Sequence, residues 1–117
     1  MGLTYVEGLL TGPTGKQVKV KFLVDSGATY TLVPAEGVGE LGLQPKRSVA
    51  FSLADGTTIE RRVSECHLSL PQGEGHTPVI LGEPGDEALL GAITLEEFGL
   101  VLNPFTRKLQ PMRMMLA

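Results

Sequence analysis

From Lys16 to Val24 the chain alternates, with Val18, Val20, Phe22 and Val24 on one face and Lys19 and Lys21 on the other. That period of two predicts a half-buried β-strand. At Leu23-Val24 the pattern turns apolar on both faces, which places the end of the strand in the core. Asp25 follows at once, then the small residues Ser26, Gly27 and Ala28. A carboxylate at the mouth of a buried strand costs several kcal/mol unless its charge is solvated, hydrogen-bonded or neutralised. Asp25 is therefore the first residue that asks for a functional explanation.

The remaining pattern is a series of short β-prone runs divided by glycine and proline. Thr4–Leu10 reads as a first strand, joined to Lys16–Val24 by the turn Thr11-Gly12-Pro13-Thr14-Gly15. Tyr30–Val33 is a short strand stopped by Pro34, and Ala35–Leu43 a helical turn opposed by Gly37, Gly39 and Gly42. Ser48–Ala54 and Thr57–Val63 flank Asp55-Gly56, which predicts a hairpin closed by a type I′ turn. Its return strand continues through Cys66, Leu68 and Leu70, all inward; Pro71–Gly75 turns the chain and Thr77–Leu81 is the next strand. Ala88–Ile93 is apolar around Gly91, and Thr94-Leu95-Glu96-Glu97 reads as a capping box opening a short helix that Gly99 ends. Leu100–Leu102, Asn103-Pro104 and Arg107–Gln110 predict a closing hairpin, followed by an apolar, Met-rich tail from Pro111 to Ala117. The expectation is an all-β chain, a closed sheet or barrel with one short C-terminal helix.

Composition narrows the class. A chain of 117 residues is a single domain, 1–117, with room for one core. With 15 Gly, 8 Pro and no Trp, strands and turns are favoured over a helical bundle. A formal charge of −3 gives no reason to expect nucleic acid, and no apolar run reaches the length of a membrane span or forms a signal segment. The single Cys66 forbids an internal disulfide and suits a reducing compartment, so the cytoplasm is expected.

Leu23-Val24-Asp25-Ser26-Gly27-Ala28-Thr29 resembles the active-site motif of the aspartic proteases, in which an apolar pair precedes Asp-Thr/Ser-Gly-Ala/Ser-Thr. Leu89-Leu90-Gly91-Ala92 before a short helix resembles that family's second signature, an apolar pair and glycine packed beside the catalytic turn. The order of elements is similar to the single-domain, retropepsin-like branch, and the resemblance runs from about Lys16 to Gln110. It implies a closed acid-protease barrel, an aspartic endopeptidase that needs no cofactor or metal, and a peptide or protein substrate. Asp25, Ser26 and Gly27 would be catalytic. Ala28, Thr29 and the flap tip Ala54, Asp55, Gly56 and Thr57 would contact substrate.

Peptide hydrolysis by carboxylates needs two of them, one to take a proton from water and one to give a proton to the carbonyl oxygen. Held together they share a proton and titrate as a pair, behaviour for which aspartic proteases are the standard example. This chain has one such motif. Asp55 sits at a hairpin tip and Asp86 in Glu83-Pro84-Gly85-Asp86-Glu87, neither after a buried strand. The second carboxylate must come from another copy, so a homodimer is expected, with the Met112–Leu116 tail and the first strand as candidate interface.

The flap departs from the retroviral pattern: Gly56 is its only glycine, with Asp55 beside it. A peptide-binding or dimerisation module without catalysis is the alternative. Cys66 and His67, adjacent on a strand, point to opposite faces and form neither a metal pair nor a nucleophilic dyad. With His76 as the only further soft ligand, no spacing resembles a zinc site, and core cysteine and surface histidine are expected. Lys19, Lys21, Arg61 and Arg62 read as solvated strand faces.

Overall fold

The structure, a computed structural model, describes residues 2–113. In chain order it consists of β1 (Tyr5–Thr11), β2 (Gln17–Val24), β3 (Thr31–Val33), α1 (Ala35–Leu41), β4 (Arg47–Ser52), β5 (Thr58–Leu70), β6 (Gly73–Leu81), β7 (Leu89–Leu90), α2 (Ala92–Glu97), β8 (Leu100–Leu102) and β9 (Leu109–Pro111). The main sheet runs β1-β2-β7-β3-β6-β5-β4, and a further pairing of β1 with β5 closes six of its strands into a ring with β4 appended outside. β8 and β9 form a separate two-stranded sheet. The expected all-β closed architecture is what the chain adopts.

The alternation in β2 works as predicted: Phe22 and Val24 are buried while Lys19 and Lys21 are exposed. Leu10, Phe22, Leu68 and Leu90 have no accessible surface, and with Val33, Val79, Leu95 and Leu100 they fill the ring. Each such side chain contributes about 1.5–3 kcal/mol by leaving water. The middle of the sheet is set by β7. It runs parallel to β2, with Leu23 opposite Leu89 and Val24 opposite Leu90, and antiparallel to β3 through Leu32 and Leu89. Entering and leaving strands of the Asp25 turn are thus held apart by a strand that arrives much later in the chain.

Several local expectations are sharpened or corrected. Ala35–Leu41 is a helix despite its glycines, because Leu41 is fully buried and Gly37 packs tightly on Val33, outweighing a propensity cost of about 1 kcal/mol per glycine. The flap tip is not a two-residue type I′ turn. The Leu53 N–H donates to Thr57 O and the Gly56 N–H to Leu53 O, leaving a three-residue loop, Ala54-Asp55-Gly56. Only Gly56 has positive φ, at 90°. Asp55 keeps a negative φ because its carboxylate is bonded to Thr57 ahead of it. β6 starts at Gly73, the turn being Pro71-Gln72 alone. Thr94 does not cap α2: Gly91 is the N-cap and Thr94 lies inside the helix, fully buried. Gly99 does take the left-handed position after the helix, with φ 66°. The tail beyond Arg113 lies outside the described residues.

Candidate active site

The Asp25 turn is fixed from both ends by backbone. The Asp25 N–H donates to Leu90 O at 3.0 Å, and the Ala28 N–H to Asp25 O at 3.1 Å, closing a β-turn. Within it the Gly27 N–H donates to Asp25 Oδ1 at 3.0 Å, orienting the carboxylate. A Cβ at Gly27 would stand 3.2 Å from that oxygen, so the bare glycine leaves the carboxylate its room. Asp25 is half-buried, Ser26, Gly27 and Thr29 are exposed, and Ala28 is half-buried. The acid is thus held by the Gly27 amide and remains partly accessible.

Beneath the turn lies the second motif. The first N–H groups of α2 donate to the turn itself, Ala92 to Ala28 O at 2.8 Å and Ile93 to Thr29 O at 3.0 Å. Groups that a helix N-terminus normally gives to a capping side chain or water are satisfied by the Asp25 turn. Gly91 is needed for that approach: a Cβ there would overlap the Tyr30 carbonyl and come 2.9 Å from Thr31 N. The Gly91 N–H donates to Thr31 Oγ1 at 3.0 Å. Thr31 Oγ1 is 2.5 Å from Thr94 Oγ1, which is 2.7 Å from Thr77 Oγ1. Three buried hydroxyls therefore tie β3, α2 and β6 together next to Gly91. The local sequence pattern gave Thr94 a capping role because nothing nearby signals its partners, 63 and 17 residues away.

The hairpin β4–β5 projects as a flap with its tip at Ala54–Thr57. Asp55 Oδ1 accepts from Thr57 Oγ1 at 2.6 Å and from the Thr57 N–H at 2.9 Å. The hydroxyl first and then the amide hold the Asp55 carboxyl below the usual carboxylate range. The structure thus gathers Asp25–Thr29 in one turn and Ala54–Thr57 at the end of a separate arm. A contact that sequence reading missed joins the two: Tyr30, just after the turn, packs edge-to-face on Phe51 of β4 with ring centres 6.0 Å apart. Tyr30 OH also accepts from Arg47 Nη2 at 3.2 Å. Only the register of β4 could have revealed that pairing.

Arg61 is not a solvated strand residue. Its Nη1 donates to Asp86 Oδ2 at 2.7 Å, and the Glu83 N–H donates to the same oxygen at 2.8 Å. The guanidinium chiefly, and then that amide, hold the Asp86 carboxyl low. Asp55 and Asp86 are therefore both engaged in local structure. Cys66 is buried on the inner face as expected, and burial pushes its thiol up to about 11. His67 and His76 are directly opposed across β5 and β6, a proximity that reading the two histidines as separate surface residues did not anticipate.

The two motifs, the ring of strands and the projecting hairpin define an aspartic-protease-like chain. Residues 14–97 match the family described as "gag-polyprotein putative aspartyl protease", so the chain belongs to that retropepsin-like aspartyl protease family. No curated protein sequence matches it. Among solved structures, the solution structure of the simian foamy virus (mac) protease superposes with a TM-score of 0.57, covering 80% of this chain and 92% of that one at 20% identity. That likeness shows the shared acid-protease fold.

Proposed function

We propose that the protein is an aspartic endopeptidase whose active site forms across a homodimer, with Asp25 of each copy supplying one carboxylate. The observation that carries this reading is the fate of the chain's three aspartates. Asp25 accepts only from the Gly27 amide and stays partly accessible, whereas Asp55 is bonded to Thr57 and Asp86 to Arg61. A second reactive carboxylate is therefore sought in a second copy. A two-fold axis beside Asp25 sets the two acids against each other. One takes a proton from a bound water as it attacks the peptide carbonyl, and the other protonates the carbonyl oxygen. Collapse of the tetrahedral intermediate passes a proton to the leaving amine, with no covalent enzyme intermediate.

Ser26 and Gly27 orient the dyad, Ser26 by reaching across to the other copy. Ala28, Thr29 and the tip Ala54–Thr57 hold an extended peptide through strand-like hydrogen bonds. The surface around the turn suits a partner. A cleft of ≈ 360 Å³ beside Ser26 is lined by Leu95, Leu100, Val101 and Pro104. Val101 is 39% exposed and Phe105, at the adjacent hairpin tip, 93%. Dimerisation would cover this apolar face. The buried free thiol of Cys66 accords with a reducing compartment, and the proposal places the protein in the cytoplasm.

The test is cleavage of denatured casein from pH 3 to 7 by wild type and Asp25→Asn, with sedimentation at the assay concentrations. Wild type is expected to cut as a dimer and the variant to lose at least about 100-fold in rate. Equal cleavage by the variant would refute the Asp25 role, and a monomer that cuts would refute the dyad. A dimer that binds peptide without cutting would instead make the protein a binding module.

A further inference from the structure

We propose that His67 and His76 form a binding site for a divalent transition metal ion, Zn²⁺, Ni²⁺ or Cu²⁺, on the outer face of the β5–β6 hairpin. The site follows from register. The two-residue turn Pro71-Gln72 pairs Leu70 with Gly73, and stepping back along the ladder sets Ser69 opposite Glu74 and His67 opposite His76. Directly opposed residues project from the same face of a sheet with Cβ atoms about 4.5–5.5 Å apart. Two imidazoles at that spacing can bind one ion with no backbone movement.

The ring geometry is close to what chelation needs. An imidazole nitrogen lies about 1.2 Å from its ring centre and about 2.0–2.1 Å from a bound Zn²⁺, so two rings on a tetrahedral ion have centres about 5.2 Å apart. The centres of His67 and His76 are 5.7 Å apart, with the rings at 76°. Chelation then requires χ rotations that turn one nitrogen of each ring toward a common point. Glu74 offers the next donor: its Oε1 is 3.8 Å from His67 Nε2. No cluster of three or more preassembled donors exists among the described residues. The ion is therefore held by the two imidazoles, with Glu74 swinging in and water completing the shell.

The surroundings do not oppose a cation. His67 and His76 border a cleft of ≈ 590 Å³ that also contains Lys46 and Glu65. The Lys46 charge is paired with Glu65 at 3.1 Å, so the site has no unpaired lysine opposing the ion. Imidazole donors select Zn²⁺, Ni²⁺ and Cu²⁺ over Mg²⁺ and Ca²⁺, which prefer oxygen. Cys66 also lines this cleft, but it is only 3% exposed and packs in the core, so its thiol is not offered to the ion. The ion would staple β5, the return strand of the flap, to β6, and Asp25 does not line its cleft.

The experiment is calorimetric titration of the full chain, freed of metal by chelator, with NiCl₂ and with ZnCl₂ at pH 7.5, followed by thermal unfolding with and without the ion. One ion per chain and a rise in Tm of several degrees at about 100-fold excess over Kd are expected. His76→Gln, at an exposed position, is expected to keep the metal-free Tm and weaken binding at least 10-fold, as is His67→Gln. Asp25→Asn and Cys66→Ser are expected to bind as wild type, which separates this site from the proposed catalytic one. Absence of binding up to millimolar ion, undiminished binding by both histidine variants, or loss of binding in Asp25→Asn or Cys66→Ser would overturn the proposal.

Discussion

Replacing Thr94 by valine keeps the shape of the side chain and removes one hydroxyl from the floor of the site. Thr31, Thr77 and Thr94 are each 0–1% exposed, so no solvent replaces what is lost. Among the described residues Thr77 then keeps no side-chain partner, and Thr31 keeps only the Gly91 N–H. A buried polar group left unsatisfied costs about 1–3 kcal/mol and a lost hydrogen bond about 0.5–1.5, so the orphaned Thr77 and the bond lost at Thr31 together predict about 1.5–4.5 kcal/mol for Thr94→Val. Thr77→Val should cost less, because Thr94 retains Thr31. In the double variant the orphaned Thr77 hydroxyl is gone, so the second substitution should cost at least about 1 kcal/mol less than it does alone. Urea unfolding at one fixed protein concentration measures this, with the midpoint shifting at constant slope. A Thr94→Val variant within about 0.5 kcal/mol of wild type, or strictly additive single variants, would refute the reading of the three threonines as one network.

Two other substitutions test the site and the core. Gly91→Ala drives a Cβ into the Tyr30 carbonyl, backbone that cannot rotate away; a loss of about 1–3 kcal/mol or more and a collapse of kcat/KM on casein are expected. Wild-type kinetics in that variant would mean Gly91 is not the spacer beneath the turn. At Cys66 the folded pKa is raised from 9.0 to about 11, so the native thiol holds its proton where the unfolded one has lost it. Stability from this group is complete below pH 9 and declines as pH rises towards 11, by about 2–3 kcal/mol in all. Cys66→Ala should flatten that decline in pH-dependent urea midpoints, and an unchanged slope would contradict it.

Signals within a few residues of one another were readable in the chain. The alternation of β2, the proline stop after Val33, the left-handed Gly99 and the two motifs around Asp25 and Gly91 all depend on local pattern or on packing that leaves a local mark. Thr94 shows where that ends: Thr-Leu-Glu-Glu is a sound cap pattern, but a buried hydroxyl chain across three elements outweighed it. Asp55-Gly56 shows the same at shorter range, since one Asp–Thr57 bond selected a three-residue loop over the two-residue turn. Tyr30–Phe51, Arg61–Asp86 and His67–His76 depend on strand register and loop path, which alternation alone leaves open.

The way α2 begins has a consequence for transplanting the motif. Ala28 and Thr29 give their carbonyls to Ala92 and Ile93, and Asp25 takes its amide bond from Leu90. The five residues Asp25–Thr29, grafted into another barrel, would arrive with two carbonyls and an amide unmatched. The portable unit is the pair of segments, turn and Leu-Leu-Gly-helix, with a small residue where they cross. Anyone building such a site from scratch has to design the two together.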